Sequence, residues 1–247
     1  MKLLKTKAIV IKKTRISEGD AIVTVFTESS GKLRFWAKGL YFFRNKYHGM
    51  FESGACVFLT YSERGTQGLC FFNSCEIVDP FKGIWGELQR MFAAFYFLEL
   101  VDSWLKESDA NPSVFHLLHG SLSLLEGAGS YETLVRVFEL RMLALTGYSP
   151  KLDACVLCGK GPGKSCLCFN FEKGGIICSH CSDGKAAGPK VSPGALAFAA
   201  KGIAISGRHI ERLKIPRGLA QEVEILSHHF LVSRLGKKLK SYRFLEL

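Results

Sequence analysis

Along the first eighty residues, apolar positions recur in short runs with polar residues between them. The runs occupy 6–12, 20–27, 32–38, 55–61 and 69–78, are rich in Val, Ile, Phe and Thr, and are divided by turn-forming residues at 17–20, 29–31 and 65–68. Five strands in about 75 residues, with no long helix among them, predict a small Greek-key barrel of the OB-fold type, with an SH3-like barrel as the alternative. From Phe81 the period lengthens. Leu88, Met91, Phe92, Phe95, Leu98, Asp102 and Leu105 follow i, i+3, i+4 spacing in a run that is apolar on most sides, which predicts a helix at the centre of a bundle.

Asn111-Pro112 predicts a second helix, with Asn as N-cap and Pro at the first helical position. A third begins near Ser130, carries Leu134, Phe138, Met142 and Leu145, and stops at Gly147 and Pro150. Ser192-Pro193 caps a short alanine-rich helix. Pro216 then opens a last long one, whose Leu219, Val223, Leu226, Phe230 and Leu235 share a face and return the chain to the bundle. The pattern therefore predicts an α+β chain. An N-terminal OB-fold barrel spans 1–80 and an α-helical domain spans 81–247, with a cysteine-rich module inserted at about 151–185.

Because a strand sends alternate side chains to opposite faces, the third strand separates Leu33, Phe35 and Ala37 from Lys32, Arg34, Trp36 and Lys38. The second set offers cations for phosphates and an aromatic plane for a base, and burying those cations unpaired would be costly. The loop that follows interleaves the same chemistry: Tyr41, Phe42, Phe43, Arg44, Lys46, Tyr47 and His48. Packing against the neighbouring domain is the alternative reading of Phe42 and Phe43. Lys13 and Arg15, before the first turn, and Lys237 and Lys238, in the basic tail 237–243, complete the candidate nucleic-acid-binding set.

The stretch 155–181 contains two C-x-x-C pairs, Cys155/Cys158 and Cys178/Cys181, with nineteen residues between them. Each pair puts two thiolates on one tight knuckle, and two knuckles supply the four sulfurs of a tetrahedral Zn²⁺. Gly159, Gly161, Gly163, Gly174 and Gly175 allow such sharp turns. Cys166 and Cys168 remain alternative ligands, and disulfides or free thiols are the bland alternative. With four protein ligands the metal is a structural staple with no open coordination position. Gly159–Ser165, GKGPGKS, ends like a phosphate loop, but its first glycine stands one residue too close to the Gly-Lys-Ser.

Composition adds direction to this picture. The 247 residues carry a net charge of +11. It is distributed as +5 over 1–80 (twelve Lys/Arg, seven Asp/Glu), −3 over 81–150 (five, eight), +4 over 151–202 (seven, three) and +5 over 203–247 (nine, four). Basic ends around an acidic middle suggest a polyanion as partner. Nine cysteines and no secretory leader point to a reducing compartment and a cytoplasmic location, and no apolar run is long enough for a membrane span. His116 and His119 lie three apart without a matching third ligand, and His228 and His229 read as partnerless surface or interdomain residues. No G-x-S-x-G, no H-E-x-x-H and no carboxylate cluster for Mg²⁺ occurs, so no enzymatic activity is expected.

Several segments carry a family likeness: SEGDAIVTVFTESSGKLRFWAKG (17–39), FELRMLALTGYSPKLDACVLCG (138–159), GGIICSHC (174–181) and LGKKLKSYRFLE (235–246). On these the chain resembles the bacterial RecO family of recombination mediators along nearly its whole length. The resemblance implies an OB-fold, a helical domain and a four-cysteine zinc module kept by some members. It implies binding of single- and double-stranded DNA, annealing of complementary strands, and loading of RecA onto DNA coated with the single-strand-binding protein SSB, together with RecR. At 41–47 the chain departs from the more basic stretch the family suggests, aromatics replacing several cations. An RNA-binding zinc protein of translation or ribosome assembly is the alternative that barrel, cysteines and charge alone would allow.

Overall fold

The computed structural model describes residues 3–62, 69–127, 130–162, 167–182, 188–205 and 207–245, so the turn expected at 65–68, Lys164 and Cys166 lie outside the described residues. The chain divides into two compact units, Met1–Ala128 with Ser241–Glu246, and Gly129–Lys240.

In the first unit, β1 (Leu3–Arg15), β2 (Ala21–Thr27), β3 (Gly31–Ala37), β4 (Cys56–Ser62) and β5 (Phe71–Asp79) form one antiparallel sheet in the order β3-β2-β1-β4-β5. The predicted alternation is realised in β3, where Gly31, Leu33, Phe35 and Ala37 are buried while Lys32, Arg34 and Trp36 face outward. Register places Ala37 opposite Ala21, Phe35 opposite Val23 and Leu33 opposite Val25, so inward residues meet in rows across the strands. Phe35, Phe51 and Phe72 close that core with ring centroids 5.3 Å apart in each pair. A bulge between Val10 and Lys12 bends β1. The edge strands meet at Phe35 and Cys70, where the Cys70 N–H donates to the Arg34 carbonyl at 2.8 Å. The five strands thus curl into the partly open barrel expected of an OB-fold, joined at a single bridge among the described residues.

The outer face of β1 and β2 is also apolar, and helices cover it. α1 (Leu88–Trp104) packs on β1, and α2 (Pro112–Leu125) packs on β2, where Phe115 meets Phe26 at 6.0 Å between ring centroids. The Asn111 side chain caps α2 by accepting from the Val114 N–H at 3.0 Å. The expectation that the first helix lies amid a helical bundle is corrected: β1, α2 and the C-terminal turn Ser241–Phe244 meet its apolar sides. The Ser241 N–H donates to Glu99 at 2.7 Å, and Phe92 stacks on Phe244 at 5.3 Å.

The second unit contains α3 (Tyr131–Leu145), a small sheet of β6 (Leu167–Asn170), β7 (Gly175–Ile177) and β8 (Lys190–Val191), the single-turn α4 (Ser179–Ser182), and α5 (Pro193–Ala204). Its last helix runs as α6 (Ala220–Glu224), a π-helical segment (Ile225–His229) and α7 (Phe230–Leu235). It starts after Pro216, not at it, because Gly218 at φ 78° closes a turn in which the Leu219 N–H donates to the Pro216 carbonyl. The sequence reading of His228 is likewise corrected. Its ring is buried and its Nδ1 lies 3.0 Å from Oε1 of Glu139 on α3. Among the described residues no helix is long and apolar enough to cross a membrane.

Candidate metal centre and nucleic-acid interface

The first cysteine knuckle is built from backbone bonds. The Gly159 N–H donates to the Cys155 carbonyl at 2.9 Å, with Gly159 at φ 73°, and the Val156 N–H donates to Ile176 of β7 at 2.9 Å. The second knuckle begins as β7 ends: Cys178 precedes α4, and the Cys181 N–H donates to the Cys178 carbonyl at 3.0 Å. Gly175 is required where the knuckles close on each other, since a Cβ there would lie 2.5 Å from Val156 Cγ1.

The four Sγ atoms of Cys155, Cys158, Cys178 and Cys181 lie within 4.8 Å of one another, and Cys158 and Cys178 are 3.7 Å apart. Tetrahedral zinc–sulfur bonds of 2.3 Å place sulfurs about 3.8 Å apart, so the donor set fits that ion. The charges fit as well. Burial alone would raise the Cys155 thiol, but hydrogen bonds from the N–H groups of Cys178, Cys158 and Leu157 outweigh it and bring it to about 6. Hydrogen bonding with the Cys158 and Cys178 sulfurs pushes Cys181 up to about 12. Sulfurs this crowded cannot all ionise by themselves, and a cation between them is what would make all four thiolates. Cys168 sits on β6 opposite Ile177 and is not part of the group. Two other cysteines are inert thiols of the first unit, burial raising Cys56 to about 11 and Cys75 to about 12. The two helix histidines take separate partners, His116 facing Glu28 at 3.3 Å and His119 packing on Phe81 and Phe115.

The outward face of β3 is less open than its sequence suggests. Lys32 Nζ lies 3.0 Å from Asp102 Oδ1 and 2.6 Å from the Asp102 carbonyl, Lys12 Nζ lies 2.6 Å from Asp102 Oδ2, and Arg34 Nη2 donates to Glu107 at 3.2 Å. Asp102 reaches them from the last turn of α1, and Glu107 from the segment joining α1 to α2, which runs beside the strand with its Ser108 N–H donating to the Lys32 carbonyl at 3.0 Å. Gly31 permits the approach, because a Cβ at that position would lie 2.4 Å from the Asp109 carbonyl oxygen. Lys12, Thr14, Ile22, Thr24, Lys32 and Arg34 thus line a cleft of about 420 Å³ with Asp102 and Glu107 in its wall. Lys13 is paired with Glu52 at 2.6 Å.

Further along, the surface opens. Arg15 is exposed, donates to the carbonyls of Ser17 and Glu18, and lies 5.0 Å from the centre of the Tyr41 ring. Trp36 is 54% exposed, its Nε1 donating to Asp20 Oδ2 at 3.1 Å. Lys38, Arg44 and Lys46 are exposed, as are Lys237 and Lys238 of the second unit. The structure thus gathers Trp36, Lys38, Arg44 and Arg15 at one end of the sheet and engages Lys13, Lys32 and Arg34 in ion pairs. The sequence reading gave Asp20 and Glu107 no role in the interface and placed Asp102 only as a helix position, and only the acidic balance of 81–150 hinted that Asp102 and Glu107 would meet cations.

Comparison with known proteins places these features in a lineage. The family described as "Recombination protein O N terminal" matches residues 1–81, and "Recombination protein O C terminal" matches 86–243. "DNA repair protein RecO" of Syntrophus aciditrophicus (strain SB) is 34% identical over 98% of this chain and 95% of its own length. Proteins of the same name from Desulfatibacillum aliphaticivorans and Pelotomaculum thermopropionicum are each 32% identical, covering 98% and 100% of this chain and 95% and 94% of their own lengths. Both halves match in order and the relatives align end to end, so the chain belongs to the RecO family of DNA repair proteins.

Proposed function

We propose that this protein is a non-enzymatic recombination mediator. It binds single- and double-stranded DNA, anneals complementary strands, and with RecR helps load RecA onto DNA coated with SSB. The observation that carries this reading is the likeness to proteins named DNA repair protein RecO along the whole chain. The surface supports it. Exposed cations at Arg15, Lys38, Arg44 and Lys46 neutralise phosphates, and the fixed, half-open ring of Trp36 offers a face to a base. Lys13, Lys32 and Arg34 join once their carboxylate partners yield, and Lys237 and Lys238 add a second basic element. Annealing needs no chemical step: it needs two polyanions held close and extended, which cations and stacking supply.

The four cysteines hold one structural Zn²⁺ in this reading. The test is the annealing of complementary oligonucleotides coated with SSB, followed by fluorescence transfer, beside binding to a structured RNA. Annealing accelerated at substoichiometric protein, with no nucleotide consumed, is the expected result. Tight binding to the RNA without annealing of DNA would move the protein to the ribosome-related alternative.

A further inference from the structure

The loop after β3 holds two neighbouring phenylalanines in opposite ways. Phe42, itself 57% exposed, is anchored by one part of its ring, which lies close against two glycines: a Cβ on Gly19 would lie 2.4 Å from Phe42 Cζ, and one on Gly39 would lie 3.2 Å from Phe42 Cδ2. Phe43 is 94% exposed. Its backbone is nonetheless fixed, because the Phe42 N–H donates to the Gly39 carbonyl at 3.0 Å and the Asn45 N–H closes the turn on the Phe42 carbonyl at 2.9 Å. Asn45 Nδ2 ties the same turn to the Gly39 carbonyl at 3.0 Å. Asp20 locks this loop to the strand, accepting from the Gly39 N–H at 2.7 Å with one oxygen and from Trp36 Nε1 with the other.

Ile16, Trp36, Phe42 and Phe43 are therefore exposed apolar side chains on two turns and a strand that Gly19 and Asp20 clamp together. Isolated exposed apolar residues are ordinary, but a held cluster of them marks a contact surface. What surrounds it indicates the partner. Arg15, Lys38 and Arg44 are exposed around the same turns, so the surface offers aromatic planes within a cationic border, the combination that binds single strands through bases and phosphates together.

We propose that Phe43, presented by the anchored ring of Phe42, stacks on an unpaired nucleobase and forms with Trp36 the base-holding platform of this protein. The inference rests on the reading of the chain as a single-strand binder, and it extends base contact from Trp36, near the end of β3, to the loop that follows. The backbone at position 43 is already held by the turn, so little main-chain entropy is lost on binding, and the side chain is too exposed to serve the core.

The experiment measures the affinity of the full chain for a labelled oligothymidylate and for an abasic strand of equal length, by fluorescence anisotropy at several salt concentrations. Phe43→Ala should weaken binding to the base-bearing strand about 5- to 150-fold, leave the abasic strand unaffected and keep the salt slope. Phe43→Trp should retain affinity, while Phe43→Leu, apolar without a ring, should not. Equal affinity of Phe43→Ala and the parent for the base-bearing strand, at an unchanged thermal midpoint, overturns the proposal. So does an equal loss on both strands, or full rescue by Phe43→Leu. Unchanged DNA binding with lost self-association in sedimentation would give the patch to a second copy of the chain and refute base stacking. If the parent binds neither strand, the functional reading itself falls and takes this inference with it.

Discussion

Glu139 is fully buried, and its carboxylate is held from three sides. Arg136 Nη1 lies at 3.1 Å, Ser227 Oγ donates at 2.7 Å, and His228 Nδ1 sits at 3.0 Å. In sequence Arg136 and Glu139 look like an ordinary i, i+3 surface pair, and nothing connects them to residues almost ninety positions away. The π-helical segment that carries Ser227 and His228 has no sequence signal, which is why His228 reads as a surface residue. Removing one member of a buried ionic group leaves its partner desolvated, so Glu139→Ala is expected to destabilise the protein by about 3–5 kcal/mol in chemical denaturation. A change below about 1 kcal/mol would show that the group contributes little. Asp102 makes a pH-dependent case. Burial alone raises its pKa, but hydrogen bonds from Lys12 and Lys32, and their charges, outweigh this and hold the carboxyl below its usual range. A carboxylate depressed in the folded state stabilises it above the unfolded pKa of about 3.9 and loses that contribution as pH falls through the folded value. The thermal midpoint of Asp102→Asn should therefore lie below the parent's at neutral pH and converge with it in acid. A gap independent of pH would assign the loss to packing.

At the scale of elements, what the sequence showed depended on how local the determining contacts were. The cysteine knuckles were legible because each is a four-residue motif whose geometry its own spacing dictates. The helix starts at Asn111 and Ser130 were legible for the same reason, their side chains accepting from Val114 and Thr133. The segment beside β3 was not, because its attachment at Ser108 and the ion pair of Glu107 join residues more than seventy positions apart. The cysteine module yields a direct prediction: one zinc per chain by metal analysis, lost in Cys155→Ser and in Cys178→Ser, kept in Cys168→Ser, with the sheet of the first unit still folded by circular dichroism. Full occupancy after Cys155→Ser would show that the ligands are other residues. The segment beside β3 yields another. Removing the carboxylates in Asp102→Asn with Glu107→Gln frees up to three cations, so single-strand affinity should rise and the salt slope steepen by up to about 2. An unchanged slope would mean that DNA never reaches Lys12, Lys32 and Arg34.

For the whole molecule, the family halves meet between residues 81 and 86, whereas compactness divides the chain after Ala128. The two divisions differ because α1 and α2 lie on the outer face of the sheet, a destination that an apolar helix does not advertise when both a bundle and a sheet could bury it. The strand count and barrel class could be read in advance from short apolar runs cut by turn residues, and the alternation of β3 from its period of two, whereas the strand order has no such signal. Which acids would meet the outward cations could not be, since charge pairing leaves no period. The C-terminal turn adds a consequence in time. Ser241, Tyr242 and Phe244 complete the surroundings of Glu99, Tyr96 and Phe92 on α1, yet the ribosome makes them only after the whole of Gly129–Lys240. At ordinary synthesis rates that interval lasts roughly 6 to 20 s. Throughout it the first unit waits with an apolar helix face unfinished, so a nascent chain stalled before residue 241 should be held by chaperones far longer than one stalled after it.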